Sequence, residues 1–289
     1  MRDLSIVIIS YNTKDLLKKC LSSILASLAS SSLNYEVIVV DNGSTDGSQE
    51  IIKREFPSVR LMLNKSNLGY GKANNQAAKN AQGQKLLFLN SDIEVIDESI
   101  EKLVQFGKQD GFQSIYGGKL FNLDGSPQPS CGYFYTLPIT FISLFLKGDQ
   151  LHLSRSSPTL VKKTEWVSGA CLMIGKNKFN TLGGFDEKIF MYMDEVDLCF
   201  RARHKGIDII FYPEAVFTHI GSASSKDKRT SYINLFNGLL YFYKKHWPQK
   251  LVFLKVLLRL KAGLSMGIGY VLRNNSLYNN YRKAWNIIN

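Results

Sequence analysis

The sequence predicts an α/β protein: a mostly parallel sheet flanked by helices, with a basic helical C-terminal appendage. Three observations predict it. Short apolar runs alternate with helical patterns through the first ninety residues, at the spacing of βαβ units. Three of those runs stop abruptly in polar loops, Tyr11-Asn12, Asp41-Asn42-Gly43 and Asn90-Ser91-Asp92; in a parallel sheet these ends share one edge and line one crevice. The net charge of +12 is also unevenly placed. From Lys226 onward 12 Lys or Arg face a single acid, Asp227, a local charge of +11, while the preceding residues hold 24 against 23 Asp or Glu, a charge of +1. A tail of that sign points first to nucleic acid or an anionic membrane.

With 289 residues, 45% apolar and 21% charged, the chain can bury a sizeable core. Cys20, Cys131, Cys171 and Cys199 form no CxxC pair and no metal-ligand spacing, which suits reduced thiols better than a disulfide framework. The first apolar run is too short for a signal peptide and reads as a strand.

In order, Leu4 to Ser10 is a buried strand and Thr13 to about Ala29 a helix, with Leu16, Leu17, Leu21, Ile24, Leu25 and Leu28 on its apolar side. Tyr35 to Asp41 is the second strand; Ser44 or Thr45 is the expected cap of the helix that follows to Glu55. Val59 to Leu63 is a third strand, Asn64 to Gly71 a polar loop, Lys72 to Asn80 a helix and Leu86 to Asn90 a fourth, fully buried strand. Phe121 to Glu165 is irregular, and its apolar patch, Tyr133 to Leu146, is too short and interrupted for a membrane span. Strand character returns over Trp166 to Gly175. A helix opens at Asp194 with Val196, Leu198, Cys199 and Ala202 on its apolar face. Ile207 to Tyr212 is a further strand, and Ala215 to Gly221, containing His219, follows it.

No GxGxxG follows the first strand and no GxxxxGK[ST] is present, so the dehydrogenase and P-loop fingerprints are excluded. Asp92, at the end of a buried strand, has the oxygen chemistry to hold a hard divalent cation of the Mg²⁺ or Mn²⁺ type; capping the next helix is its ordinary alternative. His219 would be a further ligand beside Asp92 and is otherwise structural. Asp194, Glu195 and Asp197 crowd one helix start. The helix dipole favours acids there by about 0.3–1 kcal/mol each, yet three carboxylates so close repel unless a cation or a task is present. Arg201 and Arg203 are the nearby cations.

Seven stretches, taken in order, resemble the family-two inverting glycosyltransferases with the GT-A (Rossmann-like) fold, especially their bacterial rhamnosyltransferase-like branch. They are Ser10-Tyr-Asn12, Val39 to Gly47, Asn67 to Asn75, Leu87 to Asp92, Gly184-Phe-Asp186, Asp194 to Cys199 and His219 to Ser222, and the resemblance runs from about Leu4 to Ser224. It implies transfer from a nucleoside-diphosphate sugar, dTDP-rhamnose favoured over UDP-hexose or UDP-N-acetylhexosamine, to a glycan hydroxyl in cell-surface polysaccharide synthesis. In the roles it implies, Asp41 reads the pyrimidine with Tyr11 near the base, and Asn67, Gly71 and Ser91 lie along the nucleotide. Asp92 holds the divalent ion on the diphosphate, with His219 as its partner, and Glu195 is the general base. Two positions depart from the family pattern. Asn90 stands where a second aspartate is common, and Asp194 beside Glu195 is an alternative base.

On this reading residues 1–225 form the glycosyltransferase domain, 1–120 its nucleotide-binding half and 121–225 its acceptor and catalytic half, while 226–289 form the basic helical region. Leu251 to Leu272 is long enough to span a bilayer, but Lys255, Arg259 and Lys261 interrupt it, and a mid-span charge costs about 2.5–3.5 kcal/mol. An in-plane helix on an anionic membrane surface fits better, with Lys244, Lys245, Trp247 and Lys250 as interface anchors. A buried helix pair or a homodimer interface is the other use of this stretch. The expected location is cytoplasmic, peripheral on the inner face of the cell membrane, with a polyprenyl-diphosphate-linked glycan as acceptor. No nucleic-acid partner is expected, because the tail's apolar run would be left exposed and the convergent acids would repel phosphate. A nucleotidyltransferase would carry a basic, glycine-rich loop after the first strand, and Ser10-Tyr-Asn12 is not one.

Overall fold

Leu4 to Ile8 is fully buried, which places the first strand, β1 (Arg2–Ser10), inside a sheet rather than at its edge. The computed structural model describes residues 2–146, 148–149, 151, 153–221 and 228–288, the side chains of 228–231 excepted. After β1 come α1 (Lys14–Ser27), β2 (Tyr35–Asp41), α2 (Ser48–Glu55), β3 (Arg60–Leu63), α3 (Tyr70–Asn80) and β4 (Gly83–Asn90). The chain continues through β5 (Ile93–Val95), α4 (Ser99–Lys108), β6 (Ile115–Phe121), β7 (Pro127–Gln128), β8 (Cys131–Gly132), α5 (Leu137–Phe145), β9 (Arg155–Ser156), β10 (Lys162–Thr164) and β11 (Trp166–Val167). It ends with β12 (Cys171–Gly175), α6 (Lys176–Thr181), α7 (Asp194–His204), β13 (Ile209–His219), α8 (Lys228–His246), α9 (Leu251–Val271) and α10 (Asn275–Ile287).

The main sheet has the order β10-β13-β6-β12-β4-β1-β2-β3, with β5 on β13 and β7 on β6. β3, β2, β1 and β4 pair in parallel, as do β6 and β13, while β12 is antiparallel to both β4 and β6. Six of the longer strands therefore run one way, and the mostly parallel sheet read from the sequence is present. Strands β11, β8 and β9 form a small second sheet.

Residues alternate between the two faces. Leu4, Ile6 and Ile8 of β1 join α1, α2 and α4 in one core, through Leu17, Leu21, Ile52 and Leu103. Val7 joins the other, with Ala73 and Ala77 of α3, Val196 and Leu198 of α7, and Phe236 and Phe242 of α8. The basic C-terminal region is thus packed into the larger core at its first helix.

Four local expectations change. Neither Ser44 nor Thr45 caps α2, which starts after Gly47 in a left-handed conformation (φ +86°); Asp46 accepts from the Ser48 amide instead, at 3.0 Å. Ser44 Oγ is taken by the Asn12 amide at 2.9 Å. Trp166 to Gly175 is two strands, because the chain turns at Ser168, whose carbonyl receives the Cys171 amide. Ile207 to Tyr212 and Ala215 to Gly221 are not separate: β13 runs through Pro213 with a shift of register between Tyr212 and Val216. Of the expected interface anchors, Lys245 is paired with Asp186 and Asp197, and Trp247 packs edge-on against Phe200, Phe242 and Tyr243.

Candidate active site

Strand register brings the polar ends together. Ser10 lies opposite Asp41 across β1 and β2, and Ile9 opposite Asn90 across β1 and β4. The Ser10 and Thr13 hydroxyls meet at 3.0 Å, and Thr13 donates to Ser91 Oγ at 3.0 Å, tying the loop after β1 to the end of β4. Tyr11 sits beside them, partly exposed.

Asp41 is fully buried. Its Oδ1 accepts from the amides of Gly43 (3.2 Å) and Ser44 (2.9 Å) and from Gln49 Nε2 (2.8 Å). Its Oδ2 is buried and has no hydrogen-bond partner among the described residues. An unsatisfied carboxylate oxygen at a sheet edge costs stability unless a ligand donor completes it. Asn42 extends the network to Asn67, whose Oδ1 also receives the Gly69 amide at 2.9 Å. Gly69 has to be glycine: it is left-handed (φ +85°), and a Cβ there would lie 2.6 Å from the Phe190 carbonyl oxygen.

The cation candidates also meet. Pairing of β5 with β13 puts His219 opposite Ile93 and so beside Asp92, with Nε2 3.3 Å from Asp92 Oδ1. Nε2 lies 3.2 Å from Asn90 Nδ2, and Nδ1 lies 2.6 Å from Gln128 Oε1. With Nδ1–H donating to Gln128, Nε2 presents a lone pair next to a carboxylate, the donor set of a divalent ion with a supporting outer partner. With no ion bound and Nε2 protonated instead, the hydrogen bond and charge of His219 lead the contributions that offset burial and hold the Asp92 carboxyl below its usual range. Among the described residues no three His, Cys, Asp or Glu side chains cluster as a metal cage. An ion here would complete its shell with water and phosphate oxygens.

The acids of α7 divide by environment. Tyr192 and Met193 are both left-handed (φ +64° and +68°), so a sharp turn delivers Asp194 and Glu195. Asp194 is 1% exposed, and its unpartnered Oδ1 would lie 3.2 Å from a Cβ on Gly71. Burial first, then Glu195 and Asp197, push its carboxyl far above the usual range. Glu195 is partly exposed. Burial raises its pKa, while the Arg155 guanidinium and the Gly169 amide work against the rise. Tyr70 donates to the Gly169 carbonyl at 2.7 Å, and the Asn90 amide donates to the Ala170 carbonyl at 3.2 Å. Glu195 is therefore seated one residue from the backbone that joins β4's end. Asp197, by contrast, has turned away from this site to pair with Arg201, Lys245 and His246.

The geometry brings together Asp41 and Asn67 on one side, Ser91, Asp92 and His219 at the centre, and Gly71, Asp194 and Glu195 on the other. The motif that starts at His219 extends to Ser222, which lies outside the described residues, as does the expected boundary at 225/226. Arg155, Gln128 and Tyr70 were not legible as site residues. Arg155 and Gln128 come from the irregular stretch after β6, where no periodicity marks a position. Tyr70 lies inside a legible motif, but its reach to Gly169 is purely tertiary.

Residues 5–153, more than half of the chain, match the model of the family described as Glycosyl transferase family 2. The chain belongs to that family. The N-acetylglucosaminyl-diphospho-decaprenol L-rhamnosyltransferase of Mycobacterium tuberculosis is 26% identical over 264 residues, covering 83% of each chain. A hexosyltransferase of low-salt glycan biosynthesis from Haloferax volcanii is 27% identical over 216 residues, 72% of this chain and 64% of that one. Among solved structures, GalNAc-T7 with UDP, GalNAc and Mn²⁺ superposes with a TM-score of 0.57 at 18% identity, over 84% of this chain and 50% of the other. That likeness establishes the GT-A fold. In this glycosyltransferase the fold's sheet edge is where the Asp41, Asp92 and Glu195 groups converge.

Proposed function

We propose that this glycosyltransferase moves a sugar, with inversion, from a nucleoside-diphosphate sugar to a hydroxyl of a polyprenyl-diphosphate-linked glycan, with dTDP-rhamnose as the favoured donor. The observation that carries the reaction is the seat of Glu195: partly exposed, raised in pKa, and beside Gly169, whose neighbour Ala170 accepts from the amide of Asn90, the last residue of β4 and two positions before Asp92. Donor and acceptor classes draw their support from the mycobacterial relative, whose name carries both a rhamnosyl group and a diphospho-decaprenol and which matches along most of this chain. UDP-hexose and UDP-N-acetylhexosamine are the competing donors.

In this reading Asp41 accepts an N–H of the pyrimidine on its unpartnered Oδ2, with Tyr11 beside the base. Asn67, Gly71 and Ser91 line the rest of the nucleotide. Glu195 removes the proton of the acceptor hydroxyl as that oxygen forms its bond to the anomeric carbon; the bond to the diphosphate oxygen breaks on the opposite face, and the nucleoside diphosphate leaves. Asp194 is closed in, and burial pushes its carboxyl toward the protonated form, so in this reading it shapes the site and Glu195 takes the proton. Asp92 and His219 would hold Mg²⁺ or Mn²⁺, which when bound would supply positive charge for the departing diphosphate. Residues 1–120 then serve the nucleotide and 121–225 the acceptor. An acceptor of this kind would be met at the inner face of the cell membrane, with α9 of the basic C-terminal region toward the lipid.

The test is a panel of dTDP-rhamnose, UDP-glucose and UDP-N-acetylglucosamine, each with a polyprenyl-diphosphate-N-acetylglucosamine acceptor and with Mn²⁺ or Mg²⁺. Turnover with dTDP-rhamnose, giving a product of inverted anomeric configuration by NMR, is expected. Turnover only with a UDP-sugar overturns the donor. Retained configuration overturns the role of Glu195. In parallel, dTDP at a hundred times its dissociation constant should stabilise the fold by about 2.7 kcal/mol.

A further inference from the structure

Helix α9 has two unlike faces. Leu254, Leu258, Ala262, Ser265 and Gly269 are buried against the rest of the protein. On the opposite face Phe253, Val256, Leu260, Leu264, Ile268 and Val271, spaced three or four apart, are each more than half exposed. Over 21 residues this makes an uninterrupted apolar stripe about 30 Å long. Exposed apolar surface on that scale marks an interaction site.

The cations of the helix border the stripe rather than interrupt it. At 100° per residue Lys255 and Arg259 fall along one margin and Lys261 along the other. Lys261 reaches over the Phe145 ring, at 5.6 Å from its centroid, and Phe145 stacks on Phe141 at 5.0 Å. Phe141 and Leu146 are themselves exposed, so α5 extends the apolar surface. On the other side Trp285 of α10 shares an open groove of about 370 Å³ with Val256, Leu260 and Leu264.

We propose that the outward face of α9, extended by α5 and Trp285, lies flat on an anionic lipid bilayer. Two observations select lipid over a second copy of the chain. Residues 251–288, which form α9 and α10, contain six Lys or Arg and no Asp or Glu, so pairing two copies through this region sets like charges against each other. An anionic surface complements them, and marginal Lys and Arg can bury their stems in the apolar layer while their charges reach the headgroups. No helix among the described residues is long and apolar enough to cross a membrane, which agrees with an in-plane position. The inference deepens the lipid-linked reading above and rests on it for its use, not for its geometry. The link to the chemistry is short: Tyr135, just before α5, stacks on Trp166, and Arg155, which acts on Glu195, lies over the same ring.

The test sediments the full-length chain with vesicles of phosphatidylcholine alone and of phosphatidylcholine with phosphatidylglycerol. Binding to the anionic vesicles, weakened by salt, is expected. Leu260→Asp with Leu264→Asp should lower it about tenfold, at unchanged melting temperature and unchanged rate on a water-soluble acceptor. Phe253→Ser with Ile268→Ser gives the same reading at two other exposed positions should the first pair fail to fold. Equal binding by parent and variants, or no binding by the parent, overturns the proposal. So does a dimer in light scattering that the same substitutions dissociate, which would assign the face to a second copy. Sedimentation is read without turnover, so failure of the transferase reading and failure of docking are separate results.

Discussion

Lys245 Nζ lies 2.7 Å from Asp197 Oδ1, and this bond fastens the first helix of the basic C-terminal region to the helix that presents Glu195. Lys245 also reaches Asp186 at 2.7 Å, and His246 Nε2 and Arg201 Nε each approach Asp197 at 2.7 Å. The crowding of acids at the start of α7 is relieved this way: one of the three is neutralised by three cationic or imidazole partners.

Asp197→Asn should therefore destabilise the fold by about 3–5 kcal/mol, the usual cost of leaving a buried partner uncompensated, read as a lowered denaturant midpoint. The pH dependence has a definite sign. Burial opposes the charge, yet His246, Arg201 and Lys245 hold the Asp197 pKa down to about 2. A depressed carboxyl stabilises the fold above its unfolded pKa and loses that contribution as pH falls through its folded pKa. The gap between wild type and Asp197→Asn should narrow by roughly 2 kcal/mol as pH is lowered from about 4 to about 2. A gap independent of pH would mean that the cluster does not depend on the Asp197 charge.

Gly238 of α8 touches the turn that delivers the acids. A Cβ at this position would lie 2.9 Å from the Tyr192 carbonyl oxygen and 2.9 Å from Met193 Cγ. Backbone cannot give way as a side-chain end can, so Gly238→Ala should displace the left-handed pair Tyr192 and Met193 and with it Glu195. Displacements of this size near a reacting group cost about a hundredfold. The expected result is a fall in kcat with little change in nucleoside-diphosphate affinity. A variant with normal kcat would show that the turn tolerates the shift.

How far the sequence could be read follows from which forces act locally. The runs at Leu4 to Ser10, Tyr35 to Asp41 and Leu86 to Asn90 are legible because burial on both faces demands unbroken apolar residues. Their polar ends converge because parallel pairing allows nothing else; His219 reaches Asp92 by another route, the antiparallel pairing of β5 with β13, and its partnership with Asp92 rests in the sequence on the family resemblance. What was illegible depends on long-range geometry. The reversal of β12 between β4 and β6 has no local signature. β13 looked like two segments because Pro213 and Glu214 interrupt its apolar pattern. Lys245 read as a surface cation because its partners Asp186 and Asp197 are 59 and 48 residues away.

Gln128 gives a test of the ion site that leaves both proposed ligands in place. It lies 2.6 Å from His219 Nδ1, and removing such an outer partner commonly costs 10–100-fold in metal affinity. Gln128→Ala should weaken Mn²⁺ binding, followed by electron paramagnetic resonance in the presence of the nucleoside diphosphate, by about that factor. Asp92→Asn should weaken it further, and chelation of the ion should abolish tight nucleotide binding. Unchanged Mn²⁺ affinity in Asp92→Asn would remove this pair as the site.

The last prediction separates Glu195 from Asp194 by pH. A carboxylate base works only when ionised, so activity falls as pH drops through its pKa. Burial raises the pKa of Glu195, and Arg155 counters the rise. The other titratable groups coupled to it are Asp194, Tyr70, Tyr135 and Cys199, all raised chiefly by burial. Glu195→Gln should cost about 10²–10⁴-fold in kcat with nucleotide affinity intact. Arg155→Met removes the stabilising charge, so the acid limb of the kcat profile should move to higher pH while the plateau is still reached. If Asp194 were the base, Asp194→Asn would lose the larger factor and Arg155→Met would move the acid limb much less, because the Arg155 guanidinium acts on Glu195 while Asp194 is governed by burial and its neighbouring carboxylates.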